Sequence, residues 1–173
     1  MTTLLPLLII GGLAQEVVVR TSCDDDCKAV LAAALQWTIE KSATEPYVDS
    51  ARMCVDVSLI KNEEKRGPER QVLGQIARAM SLPIQDMSRH PVFVGCAEAR
   101  LSSACRAAAG LTSITAHRVN FTRPGHATVY SVIRVLGGGG GEGSWDSLRR
   151  SELLLERVQG TWKVVGVGVT VVS

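Results

Sequence analysis

An α+β fold is what this sequence predicts: a curved antiparallel sheet of four to six strands wrapping two or three helices. Three features of its 173 residues predict it. The last quarter holds strand-like runs at residues 127–136, 151–158 and 161–172, the last two hinged at Gln159-Gly160. Apolar residues recur at helical spacing between residues 30 and 39. The order helix, strand, helix, irregular middle and then a four-strand meander is that of an α+β roll.

The first helix starts at Ser22, a capping residue, followed by Asp24, Asp25 and Asp26, whose charge suits a helix amino terminus. Val30, Leu31, Ala34, Leu35, Thr38 and Ile39 form its inner stripe, with Trp37 beside them, and it ends near Ser42. A strand follows, with Met53, Val55, Val57 and Leu59 alternating against Cys54, Asp56, Ser58 and Ile60. Pro68 opens a second helix with Val72, Leu73, Ile76 and Met80 on its stripe, and Leu82-Pro83 closes it. Within residues 84–113, Val92-Phe93-Val94 reads as a short strand. Residues 97–109 read as an alanine-rich helix stopped by Gly110. Residues 114–122 form a strand, Arg123-Pro124-Gly125-His126 a turn, and residues 137–143 a loose glycine-rich connection inside the meander. In the final strand, Gly166 and Gly168 alternate onto the face of Trp162 and Val164, a sign of bending or close backbone approach.

Residues 1–14 carry an apolar stretch of about ten residues, too short for a bilayer span, which takes about twenty. Gly12-Leu13-Ala14 places small residues where a signal peptidase cuts, so the sequence predicts a signal peptide cleaved before Gln15. A single domain over residues 15–173, secreted or periplasmic and without a membrane span, follows. The five cysteines, at 23, 27, 54, 96 and 105, suit an oxidising compartment. The first expected bridge joins Cys54 to Cys96. In the chain-entropy model that loop of about 42 residues stabilises by about 4 kcal/mol. The pairing of Cys23, Cys27 and Cys105 stays open.

Net charge is +2, too small to imply a polyanionic partner, and only two Phe, two Tyr and three Trp are present. A base-stacking surface needs more aromatic residues interleaved with basic ones, so nucleic acid is not an expected partner.

Residues 156–164, Glu-Arg-Val-Gln-Gly-Thr-Trp-Lys-Val, together with the element order over 22–173, resemble the closing hairpin of the cystatin-like and NTF2-like (SnoaL-like) superfamily. The resemblance implies the roll. It implies little chemistry, since that superfamily spans isomerases, dehydratases, carriers and dimerisation modules. Its isomerase-like members use an aspartate base and a tyrosine-acid pair. Neither Tyr47 nor Tyr130 falls on that pattern, so no catalytic set carries over.

Read for chemistry, Asp24 to Asp26 lack the spacing and bidentate Glu of a calcium loop, and Cys23 with Cys27 lack two further zinc ligands. No metal or cofactor is expected. The glycine run matches a dinucleotide pattern in letters alone, without the parallel βαβ unit such a site needs. Asn120-Phe121-Thr122 is a glycosylation sequon set inside a strand. Of His90, His117 and His126, His117 lies on a strand, grouped by alternation with Val119 and Phe121. As a general base it needs Asp56 or Tyr130 within hydrogen-bond reach.

These residues predict an exported soluble protein that binds a small apolar ligand or a protein partner through a curved sheet, without catalysis. Two alternatives differ in class. One is a small-molecule isomerase or lyase using His117, Asp56 and Tyr130 in the cone of the roll. The other is a homodimerisation module.

Overall fold

The computed structural model of the protein describes residues 23–46, 48–57, 67–85, 110–139 and 143–173. The expected signal peptide, the strand at 92–94 and the helix at 97–109 lie outside them, as do Cys96, Cys105, Tyr47 and His90.

Asp24 caps the first helix, α1 (Asp25–Ala43), in the place expected of Ser22: its carboxylate accepts the Cys27 N–H at 2.9 Å. Asp25 and Asp26 in the first turn and Lys41 in the last match the helix dipole at both ends. The buried stripe of Cys27, Val30, Leu31, Ala34, Leu35, Thr38 and Ser42 repeats at three- and four-residue spacing, which puts one side of the helix on the sheet. After a short 3-10 turn at Ser50–Arg52 comes β1 (Met53–Asp56), then α2 (Gly67–Ala79) and β2 (Ile84–Gln85), a strand the sequence reading did not foresee. The remainder is β3 (Thr112–Arg123), β4 (His126–Gly139), β5 (Gly143–Val158) and β6 (Thr161–Val172).

The six strands form one mixed sheet in the order β2-β1-β3-β4-β5-β6. It is not the wholly antiparallel sheet of the sequence reading, because β1 runs parallel to both β2 and β3. Parallel neighbours need a crossover, and α2 supplies the one between β1 and β2. The meander from β3 to β6 is antiparallel, as expected. The glycine run belongs largely to its strands: β4 continues to Gly139 and β5 starts at Gly143, with Gly137 paired to Trp145. Gln159 and Gly160 join β5 to β6 with φ of 51° and 81°, the left-handed pair that matches the twist of a two-residue hairpin.

Both helices lie against one face of the sheet. Leu31, Leu35, Leu73, Ile114, Leu153 and Leu155 are wholly buried between them, each contributing about 1.5–3 kcal/mol of transfer free energy. Phe121 meets Trp162 edge to face, with ring centroids 5.8 Å apart.

Polar pairs fix α1 at three levels. Asp26 pairs with Arg157, whose guanidinium also lies over the Trp162 ring. Thr38 and Ser131 join hydroxyls at 2.8 Å in the core, and Arg149 donates to Glu45 at 2.7 Å. Cys23 and Cys27 form a disulfide at the helix start, one of the pairings the sequence left open.

Candidate functional site on the outer face of the sheet

A one-residue bulge in β3 decides where the candidate base points. Between His117 and Asn120 the strand advances three residues while β4 advances two, from Tyr130 to Thr128. Arg118 takes the slack at φ 62°. Glu69, in the first turn of α2, accepts the N–H groups of Arg118 at 3.0 Å and Val119 at 3.3 Å. The slip changes which side each residue faces. Ala116, before it, and Val119 and Phe121, after it, all join the core on the helix side. His117 therefore lies on the opposite, outer face, not with Val119 and Phe121 as simple alternation required.

Tyr130 is the direct cross-strand partner of His117, and their rings lie 6.4 Å apart. The Arg118 guanidinium sits 5.5 Å from the centre of the same Tyr130 ring. Asp56 emerges on this outer face too. Val55 pairs with Ile114 on the helix side, so Asp56 is level with Thr115, two residues short of His117. Strand spacing and rise put the Asp56 and His117 Cα atoms about 8 Å apart. The structure thus gathers His117 with Tyr130 and sets Asp56 one strand over.

The sequence reading missed Glu69 and Arg118. In sequence, Glu69 reads as ordinary first-turn negative charge, and nothing local to 117–120 announces a bulge.

Around Asp56 the outer face is covered. Cys54, Asp56, Ser113, Thr115, Val132 and Leu136 are all buried, although they alternate away from the helices. Burial first, and the negative charge of Asp56 second, push the Cys54 thiol up to about 12. Cys54 is a buried thiol here, and Cys96, its expected partner, lies outside the described residues. Among the described residues, Gln85 Oε1 and Thr115 Oγ1 are buried without a hydrogen-bond partner. Among the described residues no group of three His, Cys, Asp or Glu is placed to hold a metal ion.

Towards β6 the sheet opens. Tyr130, Leu154 and Val158 are each 38–39% exposed, and Val165, Val167, Val169, Val171 and Val172 are 44–71% exposed. Two bulges in β6 shape this region, one between the partners of Ser151 and Leu153 and one between those of Leu154 and Leu155. The second moves Gly166 opposite Leu154, on the outer face, away from the helix-facing side of Trp162 and Val164 where alternation had placed it. Of the two glycines, only Gly168 meets the expectation of close approach, with the Glu152 backbone oxygen also 3.5 Å from an added Cβ. A Cβ on Gly166 would stand 3.4 Å from Leu154 Cδ1, and one on Gly168 would stand 3.3 Å from Glu152 Oε2.

His126 opens β4 at the hairpin with β3. It lies 2.8 Å from Arg123 and 3.3 Å from Glu156, as part of the charged cluster closing that end of the sheet. No described helix is long and apolar enough to cross a membrane. No family model, curated protein or solved structure matches this chain.

Proposed function

We propose that the protein is exported, secreted or periplasmic, and acts by binding a protein partner or a small apolar ligand through its curved sheet, without catalysis. The carrying observation is where the exposed apolar side chains gather. Leu154, Val158 and the exposed valines of β6 all lie on the last two strands, on both faces of that end of the sheet. Single exposed apolar side chains are ordinary on a surface, whereas their concentration at one edge supports an interaction site there. A signal peptide over residues 1–14 and a roll of the cystatin-like or NTF2-like kind belong to the same proposal.

Native mass spectrometry of the non-reduced protein, purified from an exporting host, tests it. The expected spectrum carries a bound molecule, small or protein, that Leu154→Lys removes. A bare monomer from the wild type sinks the binding reading. The same spectrum gives the mature mass, and a chain retaining residues 1–14 counts against the signal.

A second reading is a small-molecule isomerase or lyase with its site on the outer face. It is favoured by one relationship: His117 and Tyr130 are cross-strand partners with rings 6.4 Å apart, and Asp56 is on the same face. In this reading His117 is the base, Tyr130 the hydrogen-bond donor to the developing oxyanion, and Asp56 the group that orients the imidazole. Proton exchange at the α-carbon of a panel of small ketones, followed by NMR in deuterated water, separates the readings. Exchange that His117→Gln abolishes supports catalysis, and an inactive wild type removes it.

A further inference from the structure

We infer that β6 pairs with the β6 of a second copy of this chain, antiparallel about a two-fold axis near Val167, joining two six-stranded sheets into one. The inference rests on the sheet being a binding surface and names the partner.

β6 ends the strand order, so among the described residues alternate N–H and C=O groups along its outer side have no ladder partner. Twelve residues make an edge about 40 Å long. Proline and multiple charges, two of the devices that guard such edges, are absent from β6, where Lys163 is the one charged residue; its two bulges are the guard it does carry. A strand is the shape that satisfies such an edge, since any other cover leaves its polar groups buried and unpaired. A neighbouring strand would also cover the exposed valines that flank the edge on both faces.

The identity of that strand follows from the layout of β6. A two-fold axis at Val167 pairs Gly166 with Gly168, Val165 with Val169, Val164 with Thr170, and Lys163 with Val171. The two interruptions of the β5–β6 ladder, around Val165 and around Gly168-Val169, then face each other, and the regular stretches beyond them meet. Val165 opposes Val169 and Val167 opposes its own copy, favourable cross-strand pairs. The two lysines stay about 26 Å apart, so like charges do not meet. The exposed valines add apolar contacts to the backbone pairing. A foreign charged strand finds only Lys163 to answer it.

Sedimentation velocity and native mass spectrometry on the full chain test the pairing, from about 1 to about 100 μM, a range that resolves a micromolar dissociation constant. The expected result is a dimer whose dissociation constant rises at least 100-fold in Val165→Lys and in Val169→Lys, with circular dichroism unchanged and a thermal midpoint equal to that of wild type diluted to its monomer. Facing residues in an antiparallel pair lie within disulfide range, so Val167→Cys should link two chains on oxidation while Lys163→Cys does not. A dimer that both lysine variants leave intact overturns the pairing, as does equal linking through position 163. A wild-type monomer carrying another bound molecule overturns the pairing and leaves the binding reading standing. A bare monomer removes both.

Discussion

The Glu69 carboxylate holds Arg118 in a left-handed backbone conformation, accepting its N–H at 3.0 Å and that of Val119 at 3.3 Å. Without this carboxylate two strand N–H groups lose their acceptor at the point where the β3–β4 ladder is already broken. Glu69→Ala should destabilise the fold by about 1 kcal/mol, below the usual range for a charge-assisted bond because the site is partly exposed. Glu69→Gln should retain part of that. Urea unfolding gives the energies, and amide exchange at Arg118 and Val119 should quicken more than elsewhere in β3. Uniform quickening would refute the clamp.

Thr38 and Ser131 lock α1 to β4 through a buried hydroxyl pair, and Thr38 Oγ1 also donates to the Ala34 carbonyl. Thr38→Val should cost about 1–2 kcal/mol because it leaves the Ser131 hydroxyl buried and unpaired. The double variant Thr38→Val with Ser131→Ala should cost no more than either single change. Additive losses in that cycle would show that the two hydroxyls act independently.

The Cys54 thiol makes stability sensitive to alkali. An unfolded chain releases this proton near pH 8.5, whereas the native protein keeps it to about 12. The native state therefore binds the extra proton within that window, and stability falls as pH rises through it. Below the window the group contributes no pH slope. Cys54→Ala should flatten the alkaline limb relative to wild type by as much as about 1.4 kcal/mol per pH unit. Equal slopes, from paired urea titrations at pH 8 and 10, would contradict the burial argument.

The β5–β6 turn holds a replaceable residue. Gln159 takes a φ of 51° before Gly160, in a two-residue hairpin whose preferred sequence is Asn-Gly. Gln159→Asn should raise stability by about 0.5 kcal/mol, read as a higher thermal midpoint. A lower midpoint would mean that the glutamine side chain makes a contact the turn depends on.

Much of the fold was legible because local chemistry and tertiary packing agree in it. The acidic start of α1, its apolar stripe and the Gln159-Gly160 turn read correctly from sequence alone. The parallel β1 did not, because strand direction depends on which distant strand becomes the neighbour. Sequence alternation also mislocated His117, Gly166 and Gly168, since a bulge is a long-range accommodation with no local mark. The site was legible only as residue types. Asp56, His117 and Tyr130 do share a face, but the bulge that puts His117 there depends on Glu69, nearly fifty residues earlier.

The two irregularities of β6 compensate each other. Trp162 and Val164 face the helices; after the first slip Gly166 faces away; after the second, Thr170 is back on the side of Ser151, its partner and hydroxyl neighbour. The strand behaves like a message with an insertion at each of two places, read in frame at both ends and out of frame only between. Losing one inserted residue would invert everything beyond it, separating Thr170 from Ser151. Losing both would alter only the short segment they enclose. Chain length in β6 is therefore constrained in pairs, while the identity of the exposed residues between the slips is left comparatively free.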